Sequence, residues 1–577
     1  MSDAVVRAAT PVEQIALLAA RKAFKLCDDP KAYPEQLEAL GLQVHAPKKL
    51  YALGEESGID CAVKYDQTAF EKRLLDAPQQ FAEASFALAG AVGTPPKQRC
   101  FRLISHRMPG AEAHADLMQG IELGEGGTAR RKLPIFGDGL ELVLAEREKA
   151  VKSRQRLEGI ALAATTAIAA EKTLVEIAQS LKTMPDDIAC RTGVSLGRQL
   201  AAGGKWVAAR EMFLLVVARY AAFPEAVEAV RWLAKYYASA EARRWAESDY
   251  KVSFESGNVV PVGGGVKPAT HFEMQLDRQQ YKMHDPDAAK ACWKACLDLE
   301  TKLAGFGPVY NRDPAILLAT LAARRQLGLT GDAAKQMSSY FQTVPGAGEL
   351  PPGVDLWRDC LAAEVWLFNK AAMPVQPKPL AICPTAPKKP FLDGKLDDEC
   401  WKAFKPLDMK SATSAADLKG YATKTYFAHD EQFVYIAVEC QHPEGKQVPK
   451  AEKRLRDDNL SGHDRVEILF DLDRDYQTYF RFQIDHRGCV AEDCWGDKGW
   501  NPKWHVAIDS TPTGWTAEIA IPRGELSGTA ITNGTTWGMN VSRVIPGVGA
   551  QAWSGPADAL PRPEGMGLLK FQIDAPR

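Results

Sequence analysis

The sequence predicts a multidomain α + β protein, with an N-terminal helical region followed by an antiparallel β-sandwich. Three observations carry this. The chain has 577 residues, more than a single hydrophobic core accommodates. Up to about residue 370 it is rich in Ala, Leu, Lys, Glu and Arg, and apolar residues recur at spacings of three and four, the period of a helix face. Beyond residue 390 the period falls to two, in short runs separated by turn signals, the pattern of half-buried strands.

Composition removes several classes of function. Lys and Arg number 71 against 73 Asp and Glu, so no global charge draws the chain to nucleic acid or an anionic membrane. No apolar run reaches the ~20 residues of a membrane helix. The start, "MSDAVVRAATPVEQIALLAARKAFKLCDD", lacks the apolar core of an export signal. The twelve cysteines include no CxxC pair. Cys292 and Cys296 read as small core residues one helical turn apart, while Cys489 and Cys494 are candidates for a local bridge under oxidising conditions.

Residues 1–160 are expected to be helical with irregular segments; "LQVHAPKKLYAL" and "GDGLELVLAE" read as irregular or briefly strand-like. Residues 161–370 carry a clearer rhythm, best seen in "LGRQLAAGGKWVAAREMFLLVVARY". Leu196 and Leu200 form one stripe, Gly203 and Gly204 break the helix, and Trp206, Ala209, Phe213 and Val217 form the next. After Pro224, Ala226, Val230, Leu233 and Tyr237 share a face. With Leu196-Gly197, Gly204, Trp206 and Ala209 where two helices would cross closely, the segment resembles a tetratricopeptide repeat. The resemblance implies stacked helix pairs and a concave surface suited to a protein partner.

Residues 371–390, "AAMPVQPKPLAICPTAPKKP", hold six prolines, and the fixed φ of proline predicts a semi-rigid linker. Residues 391–577 then read as the sandwich. "KTYFAHDEQFVYIAVEC" gives two strands around residues 429–432, with Val434, Ile436 and Val438 on one face; "GWTAEIAIP" and "WGMNVSRV" alternate likewise.

The most informative stretch is "DRVEILFDLDRDYQTYFRFQID", residues 464–485, with six carboxylates among apolar residues. Alternation turns Val466, Ile468 and Phe470 one way and Glu467, Leu469 and Asp471 the other; on the next strand Phe480, Phe482 and Ile484 oppose Arg481, Gln483 and Asp485. A turn centred near Arg474 would set Glu467 directly across from Arg481. The carboxylates are thus sorted by face instead of gathered as the pair a glycosidase needs. Asp471, Asp473 and Asp475 alternate as in the first half of an EF-hand loop, but Tyr476 and Phe482 stand where that motif wants glycine and glutamate, which leaves them as turn formers.

Several motifs in order resemble the family-nine carbohydrate-binding modules: "FLDGKLDDECWKAF", "DRVEILFD", "YFRFQIDHRG", "GWTAEIAIP", "WGMNVSR" and "WSGP". The resemblance implies a β-sandwich that binds a saccharide, in some members beside glycoside hydrolases in carbohydrate catabolism. It implies Glu467 and Arg481 as ligand contacts, no required cofactor, room for structural calcium, and a place outside the cell or in its envelope, in tension with the N-terminus. Sugar rings stack on aromatic planes, which adds Trp495, Trp500 and Trp504 in a polar loop and Trp553 in "QAWSGP"; Trp401, Trp515 and Trp537 read as core. The chain is therefore expected to be a non-catalytic carbohydrate-binding protein. Two other readings stay open: a scaffold for protein partners whose sandwich no longer binds sugar, and a glycoside hydrolase with an unrecognised catalytic domain.

Overall fold

The computed structural model describes residues 11–35, 38, 44–54, 62–72, 74–82, 97–121, 140–163, 167–243, 286–303, 313–329, 333–343, 355–371, 375–402, 404–411, 418, 420–443, 455–555 and 561–573. The chain forms two compact units, residues 1–199 and 200–577.

In the first unit, helix α1 (Pro11–Leu26) precedes a small antiparallel sheet, β1 (Lys49–Gly54), β2 (Val63–Asp66) and β3 (Gln98–His106), ordered β1-β3-β2. "LYAL" is thus strand as expected, but "LELVLAE" is not: it opens α2 (Leu140–Ala163), followed by α3 (Ala167–Leu181) and α4 (Asp186–Ala202). Buried Asp76 joins α2 and α4 by accepting from Arg154 and Arg191, each at 2.9 Å. Cys100 is disulfide-bonded.

The second unit begins with helices α5 (Trp206–Arg219), α6 (Ala226–Ala238), α7 (Pro286–Leu303), α8 (Pro314–Gln326), α9 (Ala333–Thr343) and α10 (Leu356–Phe368). Gly204 takes φ +70° between α4 and α5, a conformation that favours glycine and breaks the helix as the sequence predicts. The expected stripes are buried, Trp206, Ala209, Phe213 and Val217 on α5 and Ala226, Val230 and Leu233 on α6, except that Tyr237 at the end of the second is half-buried. Asp313 caps α8 by accepting from the Ala315 amide at 3.0 Å, with Pro314 in the first turn where its missing N–H costs nothing. Asp355 caps α10 in the same way through the Arg358 amide.

The sandwich strands are β4 (Leu380–Pro384), β5 (Leu407–Asp408), β6 (Lys410–Ser411), β7 (Thr423–His429), β8 (Phe433–Gln441), β9 (Arg465–Asp471), β10 (Phe480–Asp485), β11 (Val490–Cys494), β12 (His505–Thr511), β13 (Gly514–Pro522), β14 (Thr536–Ile545), β15 (Gly549–Ala552) and β16 (Gly567–Gln572). One sheet runs β11-β10-β9-β14-β15-β6, with β16 also on β14 and β4 on β16; the other runs β12-β13-β8-β7-β5. Their facing sides meet in one core, where Val466, Ile468, Phe470, Phe480, Phe482 and Ile484 pack with Val434, Ile436, Val438, Trp515 and Ile519. Each of those side chains is the one that alternation turned inward. Trp401, Trp515 and Trp537 are buried, as expected of core residues.

Two expectations change here. Part of the proline-rich stretch is not linker: β4 pairs in parallel with β16, Ile382 opposite Lys570. Its terminal Pro384 is tolerated because β4 is the edge strand, where a missing donor leaves no ladder bond unmade. Nor does the stretch separate helices from sandwich. Trp206 and Ala242 lie in the sandwich's own hydrophobic cluster, Leu317 and Leu361 pack with Tyr476, and Ala363 and Trp366 pack with Leu568.

Candidate functional site

The outward face of the β9 sheet carries a chain of charges. Antiparallel register sets Glu467 opposite Gln483 on β10 and Ser542 on β14, and sets Arg481 opposite Leu469 and Asp493. Glu467 and Arg481 are therefore diagonal neighbours and not the directly opposed pair expected, because the connection from Leu472 to Tyr479 shifts the register by two residues. Glu467 Oε1 accepts from Arg465 Nε at 2.7 Å, and its Oε2 lies 3.8 Å from Arg481 Nη1. Arg481 Nε donates to Asp493 Oδ2 at 2.5 Å. The row Arg465–Glu467–Arg481–Asp493 is charge-balanced and recessed, with Glu467 only 3% and Asp493 1% exposed. Burial alone would weaken the Arg481 guanidinium's hold on its proton, but Asp493 and Glu467 overcome that and raise its pKa. Asn540 and Ser542, both buried, share this face on β14.

The four tryptophans expected as a sugar platform do not join that row. Trp500 is buried, stacked on Phe480 at 4.3 Å and edge-on to Phe482, so it belongs to the sandwich core. Trp504 is half-buried on the same inward side, its Nε1 donating to Glu492 at 3.2 Å and its ring against Phe482. Trp553 is buried over Gly567, where a Cβ would fall 2.5 Å from its ring. Trp495 has φ 48° and lies between two helix aromatics, 5.7 Å from Trp206 on α5 and 5.9 Å from Trp232 on α6. Sequence spacing placed Trp495, Trp500 and Trp504 in one polar loop and Trp553 in another; which rings already have protein partners is a tertiary fact that spacing does not carry. Cys489 and Cys494 are likewise not bridged: both are free and buried, at opposite ends of β11, beyond the reach of a disulfide.

The connection between β9 and β10 is the residue set that sequence reasoning undervalued. Asp471, Asp473 and Asp475 do form its turns, accepting from the amides of Asp475, Tyr476, Gln477 and Thr478. They are also wholly buried, because the turn inserts among the helices. Glu241, just after α6, accepts from the Leu472 amide at 2.5 Å and from Thr478 Oγ1 at 3.1 Å, while Asp473 accepts from the Ala240 amide. Carboxylate oxygens of Glu241, Asp471 and Asp473 lie within 4.8 Å of one another. This all-oxygen donor set is chemically suited to a hard cation such as calcium, and among the described residues it is the group that could hold a metal. Burial raises the pKa of Glu241, Asp471 and Asp473, repulsion from neighbouring carboxylates adds to the rise at Glu241 and Asp471, and burial with repulsion from Asp473 pushes Asp475 up to about 7.

The opening motif "FLDGKLDDECW" has a structural anchor on the other sheet. Glu518 on β13 accepts from the amides of Asp393 and Gly394 and from Trp401 Nε1, at 3.0, 2.8 and 2.8 Å. Gly394 has φ +88°, and a Cβ there would meet the backbone of Ile508 and Asp509. The motif is thus spent on closing the sandwich, which explains its residue types without a ligand.

These features define a two-sheet β-sandwich with helices docked against it and a recessed, charged row on one outward face. Residues 392–544, from that opening motif into β14, match the family described as Carbohydrate family 9 binding domain-like. Among solved structures, the chain is similar to a family-nine carbohydrate-binding module from Caldicellulosiruptor kristjanssonii in complex with cellotriose, at 17% identity and TM-score 0.27, covering 34% of this chain and 95% of that one. A glucose complex of a family-nine module from the same organism gives 16% identity and TM-score 0.27, covering 34% and 98%. No curated protein matches the chain. Among the described residues, no helix is long and apolar enough to cross a membrane.

Proposed function

We propose that the sandwich binds a saccharide without transforming it, on the outward face of the β9 sheet, and that Glu467 and Arg481 contact the ligand. The observation that supports this most is the recessed row Arg465–Glu467–Arg481–Asp493 within the segment that matches the carbohydrate-binding family. A carboxylate accepts from two hydroxyls and a guanidinium donates in a planar fork, so alternating the two along one face suits the vicinal hydroxyls of a sugar ring. Glu467 and Asp493 are each held by guanidinium groups, which suits fixed acceptors better than the proton-shuttling acids of a hydrolase. In this reading the tryptophans do not form the platform, and recognition is predominantly polar.

The helices, in our reading, are a tetratricopeptide-like scaffold that braces the binding sheet. Trp495 is then part of that brace. Calorimetric titration of the full chain with glucose, cellotriose and a wider set of oligosaccharides tests the proposal. Binding that weakens about tenfold or more in Glu467→Gln supports it. Binding that Glu467→Gln and Arg481→Lys both leave unchanged moves the ligand elsewhere.

A further inference from the structure

The opposite sheet has a cavity of its own. It measures about 310 Å³ and opens on the outward face of the sheet containing β7, β8 and β13, away from the charged row on β9. On that side residues 386–402 and Phe404 cover part of the sheet, where Trp401 packs with Tyr435, Ala437 and Ala520. The cavity lies where the cover ends, between Leu396, Trp401 and Lys402 on one side and the strands and the β12–β13 hairpin on the other.

Its walls mix one aromatic ring with converging polar groups. Tyr426 on β7 is half-buried, its ring braced by Trp401 at 6.4 Å. Glu439 on β8 stands opposite Lys424 and Thr516, with Lys424 Nζ 3.6 Å away and Gln441 Nε2 at 3.5 Å. Thr513 and Lys402 are exposed at the rim. Gly514 lines the cavity where β13 approaches β8 so closely that a Cβ would meet the Cys440 carbonyl at 2.5 Å. Small-ligand sites combine such an apolar wall with a few placed polar groups, and this volume is at the lower end of their range of ~300–1,000 Å³.

We infer that this cavity is a second ligand site, taking one or two rings of a saccharide, with Tyr426 against a ring face and Glu439, Gln441 and Thr513 on its hydroxyls. Glu439 accepts, Gln441 and Lys402 donate, and Thr513 does either, which matches a ligand whose hydroxyls need both. The charges of Glu439 and of Asp408, which stands opposite Lys424 beside Tyr426, are balanced by Lys424 and Lys402, so neither an anion nor a cation is favoured over a neutral polyol. This inference does not depend on the β9 face, since no residue is shared between the two sites.

The test uses the full chain, with cellobiose, xylobiose, maltose and lactose as probes, read by calorimetry and by saturation-transfer NMR. In Glu467→Gln, at least one disaccharide should still bind, at a Kd on the order of 1 mM. Adding Tyr426→Ala to that protein should weaken this binding about tenfold or more, and Glu439→Gln should weaken it severalfold. Should Tyr426→Ala impair folding, Glu439→Gln, a half-exposed isosteric change, decides the question by itself. Binding in the Glu467→Gln protein that neither substitution alters overturns the second site and leaves the first to be judged separately. A wild-type protein that binds a disaccharide only through Glu467 overturns it as well. Binding of none of the four by the wild-type chain overturns this site and counts against the first.

Discussion

Arg474 donates from Nε to Glu364 Oε1 at 2.8 Å, both side chains buried, and so ties the β9–β10 turn to helix α10. Arg325 on α8 approaches the other oxygen of Glu364, and the Tyr476 hydroxyl donates to the first at 2.9 Å. One carboxylate therefore serves two helices and the turn. Burial would raise the Glu364 pKa, but Arg325 and Arg474 outweigh it and the pKa is lowered.

Removing Glu364 leaves Arg474 and Arg325 buried without their counter-charge. Glu364→Ala is expected to cost about 3–5 kcal/mol of stability, the usual penalty for breaking a buried pair from one side. Pairing Glu364→Gln with Arg474→Met in a double-mutant cycle should recover part of the loss. Chemical denaturation measures it, and strictly additive costs would show that the two residues do not interact energetically.

The sandwich is expected to depend on the helices. A fragment covering 385–577 lacks β4 and every helix partner of the β9–β10 turn, so Asp473, Arg474 and Tyr476 lose the groups that satisfy them. Circular dichroism and thermal melts should show it aggregated or non-cooperative, while residues 200–577 melt cooperatively. A sharp melt from the shorter fragment would mean that helix docking is dispensable.

Glu467→Gln is expected to cost roughly 1–3 kcal/mol of folding stability, because Glu467 is nearly inaccessible to water and accepts from Arg465. An exposed cross-strand pair would cost under about 1 kcal/mol. Thermal melts of Glu467→Gln and Arg481→Lys, run beside the sugar titrations, separate the folding cost from the binding loss.

Stability should fall as pH rises from about 4 to about 7. Asp475 has a folded pKa raised to about 7 from an unfolded value near 3.9, so the folded state binds more protons across that window. Its stabilising contribution is complete below the unfolded pKa and is lost as pH passes the folded one. Asp471, Asp473 and Glu241, also raised, push in the same direction; Lys235 is the cation felt at Asp475. Asp475→Asn keeps the acceptor for the Gln477 and Thr478 amides and should flatten the dependence, which melts at pH 5 and pH 7.5 would show.

The fold was legible where local pattern and tertiary burial agree. Strict alternation in "RVEILFD" and "YFRFQID" identified every inward side chain, because period-two patterning depends on the backbone alone. The site was less legible. Glu467 and Arg481 could be assigned to a face, but their register depended on how a nine-residue segment from Asp471 to Tyr479 turned, which no residue type dictates. In the same segment the aspartates read only as turn formers, a role that says nothing of burial. The segment's burial comes from Glu241, Arg325 and Glu364, residues more than a hundred positions away that no local signal connects to it. The proline-rich stretch misled for a related reason: proline excludes central strands and not edges, and β4 is an edge.

Trp495 lies within 6 Å of both Trp206 and Trp232, and Tyr236 stacks on Trp232 at 5.1 Å. Indoles this close share their excited states, so the protein carries a built-in optical gauge of whether helices and sandwich are engaged. Near-ultraviolet circular dichroism should show the coupled signal. If α5 and α6 lift away from the sandwich before the strands melt, that signal will vanish while the β-sheet spectrum persists, and the chromophores will report the parting without any added label.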